Sequence, residues 1–254
     1  MNPDLRRTPM SGVKGPFRLL AVIAVLGLAN IVLLTQGHAD ANGAGIPQGT
    51  QSVTPRAAHG PQPALPAEPL TLDGAAVQGR SDAPVVLIEF SDFQCPFCIR
   101  FAHDFLPSLL SRYVRTGKVE FAFREFPLDT HADAFSAAEA AECAARQGRF
   151  WPMHDRIFDD RGRITDASLR GNAKAAGLAL DTFDACLDGS VRDDVEHAIS
   201  VGMALGLMGT PTFLAGTRRP DGRIEIVHRL DGVTDVADVQ KALDSLLRTA
   251  GGSR

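Results

Sequence analysis

Pro84-Val85-Val86-Leu87-Ile88-Glu89-Phe90 runs through Ser91-Asp92-Phe93-Gln94 straight into Cys95-Pro96-Phe97-Cys98. No other stretch constrains the fold as strongly. A short, β-branched, nearly continuous apolar run suits a strand buried on both faces of a sheet. Pro96 suits the first position of a helix, because its φ is already fixed and its missing N–H has no partner to lose there. The segment therefore reads as strand, tight connection and helix. One cysteine sits at the helix start and the other one turn further in. Apolar Phe97, Phe101, Phe105, Leu109 and Leu110, spaced by three and four, extend that helix to about residue 115.

Periodicity organises the rest of the chain. Residues 119–126 alternate as a second strand with Phe121 and Phe123 on one face. Residues 131–147 are alanine-rich and favour a helix, and further helical stretches cover 151–158, 168–176 and 191–207. Two short strands, 212–215 and 223–227, flank a Pro220-Asp221-Gly222 turn. Residues 236–247 close the chain as an amphipathic helix. The order predicts an α/β fold in which a helical block, about 128–207, is inserted between the two halves of one sheet.

Domain limits follow from charge and composition. Residues 1–41 hold a basic flank (Arg6, Arg7, Lys14, Arg18), then an apolar run over 19–34 with no charged side chain between Arg18 and Asp40. This reads as a signal peptide or an N-terminal membrane anchor, and its basic flank directs the remainder outside the cytoplasm. Arg6-Arg7 alone says little about a twin-arginine route. Residues 42–68 are rich in Gly, Pro, Ala and Gln without apolar periodicity, as in a flexible linker. The folded domain is expected over 69–250. A net charge of −4, with no basic tract, argues against nucleic acid as a partner.

The chemistry lies in the cysteine pair. A sulfur at a helix start meets unpaired N–H groups and the positive end of the helix dipole, which favour thiolate, the nucleophilic form. Cys98, one turn inward, can attack a mixed disulfide formed at Cys95 and resolve it. The same spacing also occurs in half of a zinc site, in a tight structural disulfide and in adjacent core thiols. The zinc reading wants a second close pair, whereas Cys143 and Cys186 stand singly and far apart. We find no metal cluster, phosphate loop or Ser-His-Asp pattern in the sequence. His131 and His154 fall in helical stretches and read as caps or core partners, and Phe150-Trp151 as core packing.

The stretch Glu89 to Cys98 resembles the active-site segment of DsbA-like thiol–disulfide oxidoreductases, a thioredoxin-superfamily branch with a helical insertion. The likeness continues through Glu142-Cys143 to Phe150-Trp151 with His154 and Asp155, then Phe183 to Leu187, then Gly209-Thr210-Pro211-Thr212-Phe213. It implies a thioredoxin-like fold and a redox-active Cys95–Cys98 pair, with Pro96 and Phe97 between them and no cofactor. It further implies a cis-proline loop at Thr210-Pro211 that packs beside the pair and meets an extended substrate segment. Glu89 matches an acidic residue beneath the pair, a proton relay to Cys98, and burial in an apolar run should raise its pKa. Four cysteines allow three pairings. With the adjacent pair redox-active, the resemblance implies a structural Cys143–Cys186 bridge, the alternative being two buried thiols. Implied partners are exported proteins with cysteines and an unidentified redox partner that recycles the pair, with this chain a monomer.

The resemblance leaves the direction of exchange open. Family oxidases carry His at the second position between the cysteines, and here Phe97 offers no charge. Thiolate stabilisation is then expected to rest on the helix terminus and backbone donors alone, giving a less extreme potential. Oxidase is the leading reading, isomerase or reductase the alternative, and a redox-inert binding module the reading from another class.

Overall fold

The computed structural model describes residues 64–189, 191–232 and 235–251. The expected anchor or signal over 1–41 and nearly all of the linker over 42–68 lie outside the described residues. Among the described residues, no helix is long and apolar enough to cross a membrane.

Five strands form one sheet in the order β1-β3-β2-β4-β5. They are β1 (Ala76–Gln78), β2 (Val85–Ser91), β3 (Val119–Glu125), β4 (Thr212–Arg218) and β5 (Ile224–Asp231). Central β2 runs parallel to β3 and antiparallel to β4. Every residue of β2 is buried, as its nearly continuous apolar run requires. Even-numbered Val86, Ile88 and Phe90 pack against Ala122, Phe126 and Leu214 on one face. Odd-numbered Val85 and Leu87 pack on the other with Phe101, Leu109, Phe121 and Phe213. β3 is likewise buried throughout, so its alternation in sequence marks two different buried faces and not a core face and a wet one.

The helical block contains α3 (Ala134–Arg146), α4 (Phe150–Asp159), α5 (Asp166–Ala175), α6 (Leu180–Leu187) and α7 (Arg192–Ala204). It falls between β3 and β4, where the sequence places it. Small alanines on α3, including Ala137, Ala140 and Ala141, let it approach Phe123 of the sheet and the packed faces of α4 and α5. Gly202 on α7 allows another close approach. A Cβ there would lie 2.5 Å from the Phe126 ring. Cys143 of α3 and Cys186 of α6 form a disulfide inside this block. At the C-terminus, α8 (Val236–Gly251) covers the sheet through Val239, Leu243 and Leu246.

The helix after Cys95 departs from the uniform α-helix expected. α1 (Pro96–Arg100) passes into a π-helical turn (Phe101–Phe105), then α2 (Leu106–Leu109), then a second π-helical stretch (Leu110–Val114). Pro107 accounts for the first widening. It cannot donate to the carbonyl four residues back and its ring crowds that group. The Leu106 N–H reaches to the carbonyl of Phe101 instead. Periodicity alone also missed β1, a three-residue edge strand, and α6 as a complete helix.

Candidate active site

The cysteine loop lies where three elements end. Antiparallel pairing sets Phe90 of β2 opposite Thr212 of β4, so the residues after β2 and before β4 emerge side by side. Cys95, the residue before α1, has extended backbone geometry, and Pro96 begins the helix. The Thr210–Pro211 peptide bond is cis. The Cys95 thiol donates to the Thr210 carbonyl at 3.3 Å. Cys95, Cys98, Thr210 and Pro211 thus gather at one end of the sheet, with Glu89 on the strand that leads to the pair.

Cys95 and Cys98 are free thiols in this structure and both are buried, yet their acidities diverge. The Cys95 thiol is lowered to about 5, first by the Cys98 thiol and then, against the cost of burial, by Thr210 and the N–H groups of Cys98 and Phe97. The expectation that the helix terminus and backbone act alone is therefore corrected: the partner thiol is the largest contribution. The Thr210 hydroxyl has no hydrogen-bond partner among the described residues, so it can turn to the sulfur once the thiol has lost its proton. Cys98 goes the other way. Burial and the neighbouring Cys95 and Glu89 charges hold its thiol well above the ordinary range. One sulfur is built to be a thiolate at neutral pH and the other to keep its proton.

Glu89 is 1% exposed. Its carboxyl is raised to about 8, chiefly by burial, with a hydrogen bond from Ser91 opposing the shift. Ser91 Oγ donates to Glu89 Oε1 at 2.8 Å. The carboxyl therefore keeps its proton at neutral pH, and it is electrostatically coupled to Cys98. Phe97 is half exposed and joins Met208, Thr210 and Asp231 around a mostly apolar hollow of about 340 Å³ beside the pair.

Four residues at the site were not singled out from sequence. Asp92 accepts hydrogen bonds from the backbone N–H groups of Gln94, Cys95 and Leu128 and pairs with His131 Nδ1 at 2.7 Å. It clamps the cysteine loop to the segment entering the helical block. Gln94 adds to the clamp, donating to Asp133 and to the Gly162 carbonyl while accepting from the Asp133 N–H. Ser91 and Glu125 complete the polar surface below the pair. Glu125 was legible in principle, since it follows Phe121 and Phe123 by steps of two and so belongs to their face. His154, by contrast, is core. It is buried among Phe93, Phe123, Phe150, Trp151 and Phe158, and burial lowers its pKa. Trp151 is half-buried and donates to the Val77 carbonyl at 2.9 Å, tying α4 to β1. No group of three or more His, Cys, Asp or Glu among the described residues could hold a metal ion.

Residues 71–243 match the family described as Thioredoxin. The chain belongs to the thioredoxin family. Among solved structures its fold is shared with α-DsbA1 of Wolbachia pipientis (TM-score 0.62, 24% identity, 72% of this chain and 96% of that one). BdbD of Bacillus subtilis in its oxidised form is similar (0.60, 22%, 72% and 98%), as is the catalytic domain of Proteus mirabilis ScsC (0.55, 20%, 69% and 90%). The thioredoxin fold here is thus of the DsbA-like kind, with its helical insertion. Curated relatives include the Na(+)/H(+) antiporter NhaA 1 of Salinispora arenicola, 37% identical over 164 residues, 62% of this chain and 24% of that protein. NhaA 1 of Mycolicibacterium vanbaalenii is 36% identical over 159 residues, 59% and 25%. The chain spans about a quarter of the length of these curated relatives.

Proposed function

We propose that this chain is an extracytoplasmic protein thiol–disulfide oxidoreductase that acts through Cys95 and Cys98, most readily as an oxidase. The observation that carries the proposal is the placement of two buried free thiols at the start of α1, with Cys95 Sγ 3.3 Å from the Thr210 carbonyl of the cis Thr210–Pro211 bond, and their opposed acidities are consistent with it. A substrate thiolate attacks Cys95 Sγ of the oxidised pair. The Cys95–Cys98 bond breaks and its electrons go to Cys98 Sγ, which takes a proton from Glu89. A second substrate thiolate then attacks the substrate sulfur of the mixed disulfide and expels Cys95 as a stable thiolate. The substrate dithiol is oxidised and the pair is reduced.

A low nucleophile pKa stabilises the reduced pair and makes the disulfide more oxidising. An acidity of about 5 lies between roughly 7 in thioredoxin and roughly 3.5 in DsbA, which supports a potential between their roughly −270 and −120 mV. Phe97 supplies no charge, and the Cys98 thiol and Thr210 take over part of that task. The apolar hollow beside Phe97 and Met208 suits an unfolded segment of an exported protein. Residues 19–34 would tether or export the domain, and a separate redox partner would recycle the pair.

Oxidation of reduced ribonuclease and reduction of insulin, each with wild type and Cys95→Ala, test the proposal. Catalysed ribonuclease oxidation that Cys95→Ala abolishes is the expected result. Activity indifferent to Cys95 would leave the binding-module reading in its place.

A further inference from the structure

Beneath the pair, the sheet carries a second buried carboxyl that the exchange steps above do not use. Side chains alternate along a strand, so Glu89 and Ser91 of β2 share a face with Phe121, Phe123 and Glu125 of β3. The parallel register sets Ser91 directly opposite Glu125. Glu125 is 2% exposed, and neither of its oxygens has a hydrogen-bond partner among the described residues. Glu89 keeps one oxygen on Ser91 and the other unpaired.

A carboxylate buried with neither oxygen bonded is far costlier than a neutral carboxyl in the same place. The charged groups around Glu125 are all acidic: Glu89 from β2, Asp92 from the loop that follows it, and Glu142 from α3. Asp92 is already committed to His131 and three backbone N–H groups. The nearest cation along the chain, Arg124, points to the opposite face and donates to the carbonyls of Thr71 and Asp73. Among the described residues no cation faces Glu125, and burial with these three neighbours pushes its pKa well above the usual carboxyl range.

We propose that Glu125 is a positioning residue for thiol exchange: by staying protonated, it leaves Glu89 as the single carboxyl on this face that hands a proton to Cys98. The inference rests on the oxidoreductase reading. When the Cys95–Cys98 bond opens, its electron pair goes to Cys98 and one proton leaves Glu89, so one negative charge remains under the pair. A second charge at Glu125 would hold the Glu89 proton more tightly, which slows the opening.

The test is a carbon-13 NMR titration of the glutamate carboxyls in the wild-type oxidised protein, which depends on no variant's folding. Glu125 is expected to remain protonated through the pH at which Glu89 ionises. A Glu125 that ionises below Glu89 overturns the proposal. A kinetic readout complements it: the rate at which a small dithiol opens the oxidised pair, followed against pH. Glu125→Gln, which mimics the neutral carboxyl, should match wild type within about twofold up to the pH at which Glu89 ionises. A Glu125→Gln that opens clearly faster than wild type in that range would contradict the proposal. So would a Glu89 midpoint that drops by a unit in Glu125→Gln, because Glu125 would then have been charged. Loss of Cys95 dependence would overturn the oxidoreductase reading itself. Normal Cys95 dependence with an ionised Glu125 would overturn this inference alone.

Discussion

The Cys95 sulfur and the Thr210 carbonyl oxygen stand 3.3 Å apart although 115 residues separate them. The β2–β4 pairing brings them together, and the hydroxyl of the same threonine is free to face the sulfur. Thr210→Val keeps the carbonyl and the shape while removing that hydroxyl. A hydrogen bond to a charged group contributes roughly 1.5–3 kcal/mol, so the Cys95 midpoint should rise by about one to two pH units. The rate of iodoacetamide alkylation of the reduced protein against pH checks this.

Cys98 makes a larger contribution than Thr210 to the acidity of Cys95. Cys98→Ala removes its thiol and should move the Cys95 midpoint further toward that of free cysteine than Thr210→Val does. Cys98→Ser restores a donor in nearly the same place and should recover part of the shift. Equal midpoints in the two variants would show that burial and the helix terminus set the acidity without the partner side chain.

The two oxidation states should differ in how stability follows pH. A thiol held at about 5 in the folded reduced protein, against about 8.5 unfolded, contributes stability that is fully present above pH 8.5 and lost as pH falls toward 5. Glu89 works in the opposite sense. Raised to about 8, it keeps its proton when folded and costs stability as pH climbs from about 4.5 to 8. The oxidised protein lacks the cysteine contribution and keeps the glutamate one. Urea unfolding of both forms should give slopes that differ by about 1.4 kcal/mol per pH unit between pH 5 and 8.5, the reduced form gaining on the oxidised as pH rises.

Much of this arrangement is legible in the sequence because it is local. The apolar run over Val85–Phe90, the proline after Cys95 and the alanines of α3 each declare a strand, a helix start and a tightly packed helix by their own chemistry. What the sequence leaves hidden is set by distant register. Asp92 looks like an ordinary loop acid until Leu128 and His131 arrive beside it. Ser91 and Glu125 become neighbours only through the β2–β3 pairing. The π-helical turn before Pro107 is hidden for a different reason: apolar spacing survives one widened turn, so periodicity does not report it.

Disulfide Cys143–Cys186 closes a loop across α3 to α6, with a sequence separation of 43. In the chain-entropy model such a link stabilises by about 4 kcal/mol. Cys143→Ala/Cys186→Ala should lower the unfolding free energy by about that amount, or less where the unfolded chain retains structure. Both cysteines lie away from the sulfur exchange, so the double variant should keep the Cys95 midpoint, which separates a structural bridge from a redox one.

The most direct measurement is the ultraviolet absorbance of the Cys95 thiolate, titrated in the reduced wild-type protein with Cys95→Ala as the blank. A midpoint near 5 is the predicted result. A midpoint of about 8.5, the value of a free cysteine, would contradict the account.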